Sequence, residues 1–277
     1  MRAIEIFISD NTDENEALAR TTHLAVSSHQ DDIEFMAYDG ILKCFENPNL
    51  YFTAVVASNG SGSPRSGMYA DYTDEDMMSI RKQEQKKAAV IGNYNAQIFL
   101  DLPSAQLKDP LNNAAVNSFK DIILKTKPSV IYTHNPADKH DTHVATALRL
   151  IKALRELDYV PDKLYGCEVW RGLDWVSDSE KIAFNVEGRP NLESALLGVF
   201  DSQISGGKRY DLAVIGRRRA NATFSESHGI DTASELIYAI DLTPLLRDKE
   251  LSVSDYITGY IDRFRQDVKT KIERLDC

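Results

Sequence analysis

Short apolar runs alternate along this chain with longer segments in which apolar positions recur every three or four residues, the mark of buried strands and covering helices. The first convincing strand spans 22–27 (Thr-His-Leu-Ala-Val-Ser), and a helix over 32–45 follows it. A second apolar run, 51–58, ends in a loop rich in Gly and Ser over 59–67. Thr73 as N-cap and Gly92 as stop bound a long helix over 74–92. Strand 96–100, helix 112–125, strand 129–133 and helix 141–157 continue the alternation. Strands over 163–169 and 182–186 and helices over 192–202 and 232–240 complete it.

Alternation of this kind predicts an α/β fold with a mostly parallel sheet, and the common strand order 3-2-1-4-5 puts the first and fourth strands side by side. No repeat or Pro/Gly linker divides the sequence, so residues 1–277 are expected to form one domain. Residues 1–20 read as an N-terminal extension, and about 160–277 as the part that completes the sheet and a substrate pocket. Beyond about 251, Tyr256, Ile257, Tyr260, Ile261 and Phe264 recur at helical spacing and are expected to pack as core.

Composition narrows the class of partner. Hydrophobic residues make up 43% and charged residues 27%, ordinary values for a globular protein, and the net charge is −10. Such a balance argues against nucleic acid or an anionic membrane as partner, and for a small neutral or cationic molecule; self-association stays open. The densest basic run, Arg217 to Arg219, is expected at a helix end as a solvated surface. Cys44, Cys167 and Cys277 are odd in number and widely spaced, which points to neither a disulfide framework nor a cysteine metal site. With no 18-residue apolar run either, the expected location is the cytoplasm.

Open parallel sheets bind ligands beyond the carboxyl ends of their strands, and two polar clusters fall there. Ser28-His29-Gln30-Asp31-Asp32-Ile33-Glu34 follows the first strand, and His134 to His143 follows the fourth; together they hold four of the six histidines. Imidazole and carboxylate suit Zn²⁺, and a hydrolytic site needs three protein ligands with one position open. His29, Asp32 and His143 can supply that set. Asp31, between two ligands and pointing elsewhere, is the candidate base. His140, three residues before His143, can stabilise an oxyanion as an imidazolium and then protonate a departing amine. Asp138 is placed to orient His140 through its second ring proton. No G-x-G-x-x-G follows the first strand, which disfavours a dinucleotide enzyme.

The two clusters resemble the PIG-L or LmbE-like family of metal-dependent N-deacetylases, with its A-H-P-D-D-E and H-x-P-x-D-x-H-x-D-H patterns. The likeness extends to Arg81-Lys-Gln-Glu84 followed by Gly92, and to Asp101 at the end of the third strand. It covers about the first 160 residues. Gln30 stands where the family has proline, and Thr142 where the later pattern has aspartate. Membership implies a Rossmann-like fold, zinc or another divalent ion such as Fe²⁺ on His29, Asp32 and His143, Asp31 as base, and Arg81 and Asp101 as substrate contacts. It also implies hydrolysis of an N-acetylated sugar to acetate and an amine. The alternatives are an amidase for a non-sugar or thiol-conjugate amide, and a non-catalytic sugar-binding relative. Trp170 and Arg171 are further candidates to line a sugar pocket, and His228 is expected in a loop.

Overall fold

A computed structural model describes residues 4–276. Cys277 lies outside them, and Cys44 and Cys167 are free and buried. The strands are β1 (Glu5–Phe7), β2 (His23–Ser27), β3 (Phe52–Ser58), β4 (Ala96–Leu102), β5 (Val130–His134), β6 (Lys163–Cys167), β7 (Ile182–Asn185) and β8 (Leu236–Asp241). The helices are α1 (Glu14–Ala19), α2 (Asp32–Met36), α3 (Tyr38–Cys44), α4 (Asp74–Ile91), α5 (Ser104–Lys108), α6 (Ala114–Thr126), α7 (Asp141–Glu156), α8 (Pro190–Gly198), α9 (Asp201–Ile204), α10 (Tyr210–Thr223), α11 (Pro244–Arg247) and α12 (Val253–Leu275).

One eight-stranded mixed sheet runs in the order β1-β4-β3-β2-β5-β6-β8-β7. The expected parallel order 3-2-1-4-5 is its centre, β4-β3-β2-β5-β6, but the whole sheet is wider than expected and mixed in character because three further strands add to its edges. Parallel pairing is confined to β4-β3-β2-β5-β6. β1 joins β4, and β8 joins both β6 and β7, through antiparallel ladders. The segment expected as a helix over 232–240 is β8. Its Leu-Ile-Tyr-Ala-Ile run is rich in β-branched and aromatic residues and gains a hydrogen-bonded neighbour on each side.

β2 and β3 are buried at every position, as strands covered on both faces must be. Alternation sorts their side chains. Leu24 and Val26 join Phe119, Ile131, Leu150 and Leu154 under α6 and α7. Ala25 and Val56 join Ile33, Tyr38, Phe99 and Leu192 under α2, α3 and α8. The expected helix over 32–45 is two helices broken at Ala37. α4 begins in a reciprocal capping box between Thr73 and Asp76 and stops at Gly92, as its sequence predicts.

Two surface expectations change. Arg218, in α10, is 2% exposed and donates to Glu193 Oε1 at 2.6 Å and to the Glu34 carbonyl at 2.7 Å. The basic run is therefore not wholly solvated. On α12, Ile257 and Tyr260 are buried, but every residue from Ile261 to Asp276 is exposed, so the apolar stripe packs only at its start. No helix among the described residues is long and apolar enough to cross a membrane.

Candidate metal centre and active site

β2 and β5 are parallel neighbours, and the chain leaves β2 toward β3 on one side while β5 leads to β6 on the other. Their carboxyl ends thus form the crevice where such sheets bind ligands. Ser28 ties the two loops together. Its amide donates to His134 Nε2 at 2.9 Å, and its hydroxyl meets the Thr142 carbonyl at 2.9 Å and Thr146 Oγ1 at 2.7 Å.

The structure brings His29, Asp32 and His143 together. His29 Nδ1 lies 3.2 Å from Asp32 Oδ2, His143 Nε2 lies 3.2 Å from the same oxygen, and the two nitrogens are 3.1 Å apart. Ligands at about 2.0–2.1 Å in a tetrahedron are separated by about 3.3–3.4 Å, so this triangle matches the donor spacing of a zinc-sized ion. Two overlapping trios, His29/His140/His143 and Asp32/His134/His143, also have possible ligand atoms within 4.8 Å of one another. His134 is the weaker donor of the set, because its Nε2 lone pair already accepts the Ser28 amide. It stacks on His143 at 3.9 Å between ring centroids and forms the wall behind it.

Charge supports a cation here. Burial works against both partners, yet His143 and the hydrogen bonds from His143 and His29 hold the Asp32 carboxyl well below its ordinary range. Asp32 and Asp138 in turn push the buried His143 up to about 9. The two carboxylates stabilise positive charge at this spot, which a divalent ion would supply when present.

Asp31 stands beside the triangle, and three features set it apart. Its φ is +90°, a strained value for a residue with a Cβ, and such strain tends to cluster at functional sites. Gln85 Oε1 accepts its amide at 3.1 Å, and Arg81 donates to its Oδ2 at 2.9 Å. Burial raises its carboxyl well above the ordinary value, against the pull of Arg81. Arg81 and Gln85 are one turn apart on α4, so one helix face fixes both backbone and side chain of Asp31. Gln85 Nε2 and the Tyr94 hydroxyl both donate to the buried Glu34, at 2.8 and 2.7 Å, which anchors the arrangement.

His140 caps α7, its Nδ1 accepting the Thr142 amide at 3.3 Å, so its other ring nitrogen carries the proton. Burial and the neighbouring His29 and His143 lower it to about 4, so it is neutral near pH 7 and not the imidazolium expected from sequence. Asp138 does not orient the His140 ring. It accepts the His140 backbone amide at 2.9 Å and the Trp170 amide at 3.0 Å, while its Oδ1 faces His143 Nδ1 at 3.6 Å, an ion-pair distance too long for a hydrogen bond.

A cavity of about 450 Å³ opens over these groups, lined by His29, Asp31, Asp32, Arg81, His140, Thr142, Trp170 and Tyr210 among others. Arg81 is 3% exposed and engaged with Asp31, Gln30 and Ser63, so it holds the site's framework and pairs with neither Glu75 nor Glu84. Asp101 does not reach the cavity; Lys82 binds it at 2.5 Å, and it lines a separate cleft. Arg171 is exposed outside the lining and His228 sits in an exposed loop, whereas Trp170 does line the cavity. Sequence reasoning passed over Gln85, Tyr210 and Lys208. The first was legible as the residue one turn after Arg81; the others come from segments whose distance in sequence gives no clue to the site.

Residues 24–154 match the family model described as PIG-L, GlcNAc-PI de-N-acetylase. The matched segment contains both site loops and α4. No curated protein matches the chain by sequence. Among solved structures, N,N'-diacetylchitobiose deacetylase from Pyrococcus horikoshii is similar with TM-score 0.64 and 13% identity, over 82% of this chain and 86% of that one. The zinc-inhibited form of a teicoplanin deacetylase is similar with TM-score 0.58 and 14% identity, over 79% and 98%. A 4-carboxy-2-hydroxymuconate hydratase from Pseudomonas putida is similar with TM-score 0.60 and 17% identity, over 80% and 96%. At these identities the likeness carries the fold, and the fold serves both hydrolysis and hydration. Which reaction the fold serves is set by the chemistry of the side chains at the site.

Proposed function

We propose that this protein is a metal-dependent N-deacetylase acting on an N-acetylated sugar or sugar conjugate. The observation that carries the reading is the triangle of His29 Nδ1, Asp32 Oδ2 and His143 Nε2, 3.1–3.2 Å on each side, beside a buried carboxylate in an open cavity. The match of residues 24–154 to the GlcNAc-PI de-N-acetylase model and the likeness to an N,N'-diacetylchitobiose deacetylase support the substrate class. Zinc fits the two-imidazole, one-carboxylate donor set, and when bound would supply Lewis-acid polarisation of the acetyl carbonyl and acidify water.

The chain's own residues do the rest. Asp31, its carboxylate made more basic by burial, takes a proton from the water that adds to the carbonyl. Neutral His140 donates its remaining N–H to the oxygen that gains negative charge. Asp31 then returns the proton to the departing amine, and acetate and the free amine leave. Arg81 keeps Asp31 facing the cavity throughout. Trp170 and Tyr210 offer aromatic faces for the sugar ring.

Metal-loaded protein should release acetate from N-acetylated amino sugars. Asp31→Asn should lower kcat by about 10²–10⁴-fold while metal content is unchanged, and His143→Ala should lose the metal. Full activity in Asp31→Asn, or undiminished metal in His143→Ala, would remove those residues from the mechanism.

A further inference from the structure

The body of the protein holds α12 only at its start. Tyr260 meets Trp175 edge-on at 6.4 Å between ring centroids, and Arg263 pairs with Glu180 at 2.8 Å. Beyond Arg263, every side-chain hydrogen bond and ion pair among the described residues stays inside the helix: Arg265 with Asp262, Lys269 with Glu273, Lys271 with Asp267 and Gln266 with Thr270. The stretch from Ile261 to Leu275 is about 22 Å long at the rise of an α-helix. A helix of about 15 residues without tertiary contacts is marginal in water, and such ion pairs add little to it. Something outside the chain's own body must therefore cover it.

Its apolar positions are ordered for a partner. Ile257, Ile261, Phe264, Val268, Ile272 and Leu275 follow one another at steps of four, three, four, four and three. All six lie within about 40° of one line along the helix. The set repeats every eleven residues, Ile257 with Val268, Ile261 with Ile272 and Phe264 with Leu275, a period that winds a helix pair slightly to the right. Ile257 is buried against the body, whereas the other five are 37–69% exposed.

Charge selects the occupant. Residues 261–276 carry five basic and four acidic side chains, although the chain as a whole has net charge −10. A face so balanced offers little to an anionic membrane or to nucleic acid, while a like copy can match both signs. Set antiparallel and centred on Lys269, two copies bring Lys271 level with Asp267 of the second copy, and Arg265 level with Glu273 of the second copy. Each contact then occurs twice by symmetry. Lys269, at the centre, keeps Glu273 of its own helix as partner at 3.6 Å. In that register the stripes interleave, each Val268 falling between Val268 and Ile272 of the second copy. Each Leu275 ends level with Arg263 of the second copy, where α12 leaves the body. Covering five apolar side chains on each copy buries on the order of 1,000 Å², the lower bound of a specific interface.

We propose that this protein dimerises through α12, two copies packing antiparallel along the stripe from Ile261 to Leu275. This assembly stands whether or not the metal centre is a deacetylase.

Sedimentation velocity of the full chain from about 1 to 200 µM should show one chain giving way to two. Val268→Asp/Ile272→Asp should leave single chains at every concentration. Its thermal unfolding at the lowest concentration should match the parent's, because both side chains are exposed in the single chain. Lys271→Asp sets like charges at both symmetric contacts and should weaken the dimer about threefold to tenfold at low salt. Asp267→Lys/Lys271→Asp exchanges the two charges and should restore it, which a parallel pairing would not allow. Single chains throughout the range, a dimer indifferent to Val268→Asp/Ile272→Asp, or an exchange that restores nothing overturns the proposal. Co-sedimentation with phosphatidylserine vesicles by a chain that stays single in solution overturns it as well, and assigns the stripe to a membrane surface.

Discussion

A single strained residue organises the site. Asp31 holds φ = +90° because α4 presents Arg81 to its carboxylate and Gln85 to its amide, and both partners are buried. The strain is therefore stabilised by polar contacts from another element, not by its own loop. Gln85→Met keeps the volume but leaves the Asp31 amide unpaired and removes one of the two donors to Glu34 Oε1. It should cost about 1–3 kcal/mol of stability and lower kcat more than it raises KM. Urea unfolding together with steady-state kinetics checks this, and an unchanged kcat would show that Asp31 does not depend on α4.

Elements far apart in sequence meet around the same loop. α10 delivers Arg218 to Glu193 of α8 and to the carbonyls of Glu34 and Phe35 in α2, and both charged side chains are 2% exposed. Arg218→Ala leaves Glu193 buried without its partner and should cost about 3–5 kcal/mol; Arg218→Met with Glu193→Leu should recover most of it. Glu168, also deeply buried, has its carboxyl raised by burial, against the Tyr238 amide, Arg217 and Asn221. Its protonated form is favoured in the folded state, so the stability it contributes is present below its unfolded value and is lost as pH rises through the folded one. Glu168→Gln can still accept from Asn221 and Tyr238. Its stability relative to the parent should therefore rise with pH above the ordinary glutamate range. A flat difference between pH 4 and 8 by thermal unfolding would contradict the assignment.

At the scale of the whole molecule, sequence conveyed the centre better than the periphery. Residues 22–27 and 129–133 were legible because strands buried on both faces are continuously apolar, and histidine and aspartate follow each of them directly. That juxtaposition made His29, Asp32 and His143 readable as a set. β8 was not legible, since a short apolar run fits a buried strand or helix until its neighbours are known. Asp101 was misplaced for a related reason: the strand end is right, but β4 lies two strands from β2, and Lys82 takes the carboxylate. The buried role of Arg218 and the exposed end of α12 depend on long-range packing that local patterns do not encode.

The claim on which the account turns is that two loops share one divalent cation. Crystals of the full chain grown with zinc, measured at the zinc absorption edge, test it most directly. The account predicts one strong anomalous peak bounded by His29 Nδ1, Asp32 Oδ2 and His143 Nε2; zinc held by other residues, with none among these three, would contradict it.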